Sequence, residues 1–447
     1  MKRVMLIFGL AAIATLIWVP EASAQRFSYP PEDFSQRRAA VCDAVENEGL
    51  VLIFGKTRIP PGVRFRQDND FFYLTGNEDL NAILLLDASN CDAYLFLPSQ
   101  TEREASRDGW NWLYDEGATE ERGFAAIQPI YTLEEVLARR RTGAEQTLHV
   151  RLSERTEVDQ SRGDVAIFMA RRFMSPWATQ PSEDAWRVDK LRQRYPYYRL
   201  EDISPHIDAL RMLKGEAEAE ALRRNGWISA EAHRQAIAIT QVGIYEYEIE
   251  AEAAYVMLKH GAEGNGYPAI VGSGPNGNVW HYQENSRQLE DGDLVVMDYG
   301  ASFGYQTIDI TRTWPASGKF TELQERAYRC VLEAQKAIIA AMVPGVTRAE
   351  TREIARAIYA KWGFDDRYAG GAGHFTGMSV HDVGDYSAPL QAGMVIAVEP
   401  IIEIKEENLH IRIEDTILIT DDGPVNLSAH VPKEVDEILA LVGSRER

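Results

Sequence analysis

Apolar runs of strand length alternate with helical stretches along the chain, and the pattern changes character near residue 205. Residues 50–54, 82–87 and 93–97 are short apolar runs, the signature of buried strands. Residues 192–205 turn polar and are dotted with Pro196 and Pro205, as a connector between domains would be. From residue 216 to 240 the chain lacks proline and places Leu222, Ile228, Ala232 and Ile239 at helical spacing. Its acidic start, Glu216 to Glu220, suits a helix N-terminus. Further helices are predicted over 247–259, 323–342 and 348–362, with strands over 294–299, 305–313, 395–399 and 409–420. Helices interleaved with antiparallel strands predict an α+β second domain.

The first 24 residues stand apart. Lys2-Arg3, an apolar run over 4–19 and Ala22-Ser23-Ala24 have the order of a cleavable export signal. The run is shorter than the roughly 20 residues a spanning helix needs, so no membrane anchor is expected after cleavage. The expected destination is a periplasm or the cell exterior. The chain has 447 residues, with 47 Lys and Arg against 68 Asp and Glu, a net charge of −21. That charge repels phosphate backbones and argues against a nucleic-acid partner. Three cysteines are too few for a disulfide scaffold. In an oxidising compartment Cys42 and Cys91 can pair, a point the sequence leaves open.

The candidate chemistry lies in the second half. The apolar stretch 294–300 carries Asp298, and the returning stretch 305–313 carries Asp309. A turn centred between Phe303 and Gly304 would set the two aspartates directly opposite each other, about 5 Å apart at Cβ. Like charges facing one another in an apolar setting call for a cation between them. His374 stands in the glycine-rich run 369–377, where backbone can approach a site closely. Glu399 ends another apolar strand, and in Ile411-Arg412-Ile413-Glu414 strict alternation puts Arg412 and Glu414 on one face. Four carboxylates and one imidazole suit two hard or borderline divalent ions such as Mn²⁺ better than a closed zinc site.

Asp298, Asp309, His374, Glu399 and Glu414, in this order, resemble the five ligands of the dinuclear pita-bread metallopeptidases. The likeness is to their proline-specific branch, Xaa-Pro aminopeptidase (aminopeptidase P) and proline dipeptidase. His281-Tyr282-Gln283-Glu284-Asn285 resembles that branch's HYxEN segment, His381-Asp382-Val383-Gly384 its VHDVG segment, and Arg412 precedes the last ligand as in its IRIED pattern. The run 65–71, FRQDNDF, resembles the aminopeptidase P N-terminal domain. The resemblance implies a signal peptide over 1–24, an α/β creatinase-type N-terminal domain over 25–204 and a pita-bread catalytic domain over 205–447.

It also implies two divalent ions, Mn²⁺ foremost with Zn²⁺ or Co²⁺ as alternatives. Asp298 would hold one ion, Asp309 and Glu414 would bridge, and His374 with Glu399 would hold the other. Metal-activated water would cleave the bond before a proline in second position, with Glu399 as proton shuttle. His281 and His381 would contact the substrate carbonyl and the tetrahedral intermediate, and Arg412 would orient Glu414. A homo-oligomer is the family expectation.

One departure stands out. Gly370 occupies the place where the family usually has a second histidine, four residues before His374. That keeps in view a weakly active or non-catalytic family member used for binding, beside the branch's other alternative, a proline dipeptidase acting on Xaa-Pro dipeptides. Asp382 and Asp385 read as solvated loop acids. The aromatic run 110–114 reads as local core, with a lid over a neighbouring subunit's site as the alternative.

Overall fold

The computed structural model describes residues 27–59, 62, 64–139, 146–152, 154–156, 160–177, 181–367 and 373–445. Residues 1–24, read above as an export signal, and Gly370 lie outside them. No helix among the described residues is long and apolar enough to cross a membrane.

The N-terminal half is built on a six-stranded sheet: β1 (Leu50–Phe54), β2 (Ile83–Asp87), β3 (Asp92–Leu97), β4 (Ala126–Pro129), β5 (Gln146–Val150) and β6 (Tyr198–Asp202), in spatial order β4-β3-β2-β1-β5-β6. The β1–β2–β3 meander is antiparallel, whereas β4, β5 and β6 each join in parallel. The continuous apolar runs follow from burial on both faces. Val51 and Ile53 of β1 join one core with Val41, Phe71 and Leu84, while Leu50 and Leu52 join another with Leu85, Leu148 and Leu191. Cys42 and Cys91 form a disulfide between the helix Pro31–Ala44 and the turn before β3, and Cys330 is free and buried. The aromatic run divides. Trp112 packs under the Arg122 guanidinium at 3.9 Å, while Trp110 and Tyr114 are exposed and touch each other.

The second half carries four long helices, Glu216–Ile239, Glu246–Lys259, Glu322–Ala341 and Arg348–Trp362, around short antiparallel sheets. The last of these has the predicted bounds, because Thr347 and Glu350 cap its start reciprocally and Gly363 ends it in the left-handed conformation. The two halves share a core. Ile203, Ile207, Tyr305 and Met378 cluster with Phe71 and Phe72, and the Phe72 and Tyr305 rings stack at 3.4 Å.

Two predicted strands are each broken in two. The stretch 305–313 becomes Gln306–Thr307 and Thr311–Pro315, and the stretch 409–420 becomes Leu409–Arg412 and Asp415–Thr420. The breaks fall at Asp309 and Glu414, so both acids leave regular ladders. The hairpin register also differs from the expected one. Gly304 and Tyr305 both take positive φ, 56° and 61°, so the two-residue turn is centred one residue later than predicted. Asp298 therefore pairs with Thr311, not Asp309. A bulky residue at positive φ is costly. Tyr305 is held there by the stack on Phe72 and by its hydroxyl, which donates to Glu78 and accepts from the Gln67 amide.

Candidate metal centre

The register shift is by two residues, which preserves strand parity, so Asp298 and Asp309 still converge. The Tyr267 hydroxyl lies 2.7 Å from Oδ1 of each, bridging them from the bend just before Ile270–Ser273, the strand that runs antiparallel to Asp298. Asp309 Oδ2 is 3.2 Å from His374 Nε2, which in turn is 3.8 Å from Glu414 Oε1 and 3.9 Å from Glu399 Oε1. The five sequence-predicted ligands are thus one connected group. Ligand atoms of Asp309, His374 and Glu414 all lie within 4.8 Å of one another.

Local structure explains each placement. Glu399 follows the strand Val395–Val398, and His374 opens the strand paired to it, with His374 opposite Ala397. Gly373 has φ of 108°, and a Cβ there would stand 1.6 Å from the Ala397 carbonyl oxygen, so only glycine lets the backbone bring His374 this close. His374 Nδ1 lies 3.1 Å from the Phe375 carbonyl, which places a proton on Nδ1 and turns Nε2 toward the carboxylates. Thr311, the partner of Asp298, donates its hydroxyl to Glu414 Oε2 at 2.7 Å. The other oxygen, Glu414 Oε1, is buried and has no hydrogen-bond partner among the described residues.

Arg412 corrects one expectation. It lies on the predicted face, with Ile411 and Ile413 turned to the opposite core. Its Nη2 donates to Asp298 Oδ2 at 2.8 Å, however, and so orients the first aspartate instead of Glu414. The His381 ring packs edge-on against His374 at 4.5 Å. His281 is exposed, on a loop that the buried Asn285 ties to Val271 and Ala269, close in sequence to Tyr267. Asp385 is an exposed loop acid as read, whereas Asp382 is fully buried. Sequence reasoning missed Tyr267, Thr311 and Thr416. The two threonines had one visible signal, a hydroxyl at a buried position of an apolar strand.

Electrostatics show what the group lacks. Burial, opposed by Arg412 and helped by Asp309, pushes the Asp298 carboxyl up to about 7. Burial, then Asp309, Glu399 and Asp298, hold Glu414 well above the usual carboxylate range. Burial disfavours the His374 imidazolium, yet Asp309 and Glu399 raise it to about 9. Asp309 moves the other way. Burial alone would raise it, but the bond to His374 brings it below its usual value. Crowded carboxylates that retain protons, with one buried oxygen unpartnered, fit a site built for divalent cations.

Fold and centre together define a two-domain metallopeptidase. The pattern of metallopeptidase family M24 matches residues 220–421, and that of the aminopeptidase P N-terminal domain matches residues 34–149. The chain is 32% identical to the Xaa-Pro aminopeptidase of Haemophilus influenzae, over 92% of this chain and 97% of that one. Among solved structures it resembles a putative aminopeptidase P from Bacillus anthracis, with TM-score 0.82, 26% identity, and 93% and 98% of the two chains covered. It also resembles zinc-substituted aminopeptidase P of Escherichia coli in complex with product, with TM-score 0.78, 28% identity, and 95% and 100% covered. The chain belongs to metallopeptidase family M24, in the aminopeptidase P architecture.

Proposed function

We propose that the protein is an exported Xaa-Pro aminopeptidase that removes the N-terminal residue before a proline, using two divalent ions, Mn²⁺ foremost. The observation that carries this reading is the convergence of Asp298, Asp309, His374, Glu399 and Glu414 on one another, with Glu414 Oε1 buried and without a hydrogen bond among the described residues. Asp309 and Glu414 are central in the group and suit bridging positions; Asp298 lies toward Arg412 and Glu399 toward His374. When bound, the ions would acidify water and polarise the scissile carbonyl.

The chain's own residues would do the rest. Glu399 has the most exposed side chain of the four acids and the histidine, 23%, and so suits proton transfer to and from substrate. Arg412 fixes Asp298 through its hydrogen bond, and Tyr267 limits how far Asp298 and Asp309 can spread. His381, packed on His374, is placed to donate to developing negative charge. A substrate whose second residue is proline offers no N–H at the scissile bond, so recognition must fall on the ring and the carbonyl. Export is supported by the 1–24 leader pattern and by the Cys42–Cys91 disulfide, a bond typical of oxidising compartments.

The test compares Ala-Pro-Ala with Ala-Pro on Mn²⁺-loaded protein lacking residues 1–24, with products identified by mass spectrometry. Release of alanine from the tripeptide supports the aminopeptidase reading. Turnover of the dipeptide alone would move the function to proline dipeptidase, and no turnover of either would contradict both.

A further inference from the structure

The N-terminal FRQDNDF run grips the loop that carries His381. Arg66 Nη2 donates to the Met378 carbonyl at 2.6 Å, and Asn69 Nδ2 donates to the same carbonyl and to Ser379 Oγ at 3.2 and 2.9 Å. Asp70 accepts from Arg211 Nη1 at 2.6 Å, and Arg211 Nη2 donates to Asp382 Oδ1 at 2.5 Å. Asp382 is the residue after His381, and its Oδ2 accepts from the Met378 amide at 3.1 Å. All three members of this chain are at most 1% exposed.

Burial would raise the Asp70 carboxyl, but the Arg155, Arg211 and Arg151 guanidiniums hold it well below the carboxylate range. Two buried carboxylates joined by one forked guanidinium form a geometry that a point charge does not reproduce. Buried ion pairs of this kind cost desolvation energy and add little stability, so their placement beside a site suggests a positional role.

We propose that Asp70, through Arg211 and Asp382, is a positioning residue that fixes His381, so that the N-terminal domain is part of the catalytic apparatus. This rests on the aminopeptidase reading above. A displacement of about 1 Å at a catalytic group can cost on the order of a hundredfold in rate. Asp70 touches neither His381 nor any carboxylate of the centre in this network, so its effect must pass through the His381 loop.

The test is a double-mutant cycle on the Mn²⁺-loaded protein, with Asp70→Asn, His381→Ala and the pair. Asp70→Asn is expected to lower kcat on Ala-Pro-Ala by about tenfold to a hundredfold, with KM and bound metal little changed. In the His381→Ala background the same change should cost less than about twofold, because its route to the chemistry is gone. Equal losses in both backgrounds, or no loss in either, would overturn the proposal. Should Asp70→Asn fail to fold, Arg211→Lys runs the same cycle, since lysine keeps the charge but not the fork. The ¹⁵N shifts of the His381 ring supply a readout independent of turnover. They should move in Asp70→Asn, and unmoved shifts would overturn the positioning claim. Wild-type protein that leaves Ala-Pro-Ala intact would instead count against the aminopeptidase reading.

Discussion

Thr416 and Asp309 hold each other by two hydrogen bonds: the Thr416 hydroxyl donates to the Asp309 carbonyl at 2.8 Å, and the Asp309 amide donates back to that hydroxyl at 3.0 Å. Asp309 lies in the break between two short strands, where no ladder satisfies its backbone. Thr416 stands in for the missing ladder and sets where the Asp309 carboxylate points. Thr416→Val, which keeps the shape, should leave both backbone groups buried and unsatisfied, at a cost of about 1–3 kcal/mol. Urea unfolding of metal-free protein measures this. Thr416→Ser should retain most of the stability, and equal losses in Val and Ser would point to packing as the cause.

Metal binding should release protons. Asp298, raised to about 7, and His374, raised to about 9, both retain protons at neutral pH that bound cations must displace. Apparent Mn²⁺ affinity should therefore climb as pH rises from 6 to 9, and calorimetry in buffers of different ionisation enthalpy should show net proton release. The metal-free protein should follow the opposite slope. Its folded state holds a proton on Asp298 that the unfolded chain loses above about 4, so this group's contribution to stability falls as pH rises toward 7. His374 adds stability below its unfolded value near 6.5, lost as pH passes about 9. Metal-free protein that gains stability across pH 7 to 9 would contradict this account.

The Cys42–Cys91 bond closes a loop with a sequence separation of 49, for which chain entropy gives an upper estimate of about 4 kcal/mol. Both cysteines belong to the N-terminal half, next to the core that contacts Tyr305 and Met378. Reduction, or Cys42→Ala with Cys91→Ala, should lower the melting temperature of the N-terminal half and leave Mn²⁺ stoichiometry unchanged. A loss of bound metal on reduction would tie the disulfide to the centre and contradict this separation.

Much of this was legible in the chain. Helix bounds such as Arg348–Trp362 follow from apolar spacing and reciprocal caps, and three of the six strands of the N-terminal sheet show as runs such as Leu50–Phe54, whereas Tyr198–Asp202 lies in the polar stretch read as a connector. Candidate ligands could be named because their acids lie in or end apolar stretches and, with His374, stand in an order that resembles the pita-bread metallopeptidases. Their geometry could not, because register depends on Tyr305 accepting positive φ, and that depends on Phe72 from the other half of the chain. Arg412 shows the same limit. Alternation gave its face, but the choice between Asp298 and Glu414 is made by tertiary packing. Asp382 read as a solvated acid because nothing near it in sequence reveals Arg211, 171 residues away, as its partner.

The most direct test of the central claim is a Mn²⁺ titration of metal-free protein lacking residues 1–24, with bound metal and alanine released from Ala-Pro-Ala followed in the same samples. The account predicts two ions bound per chain, alanine release that depends on them, and loss of both full occupancy and release in Asp309→Ala. Two ions bound without release, or release unaffected by Asp309→Ala, would contradict it.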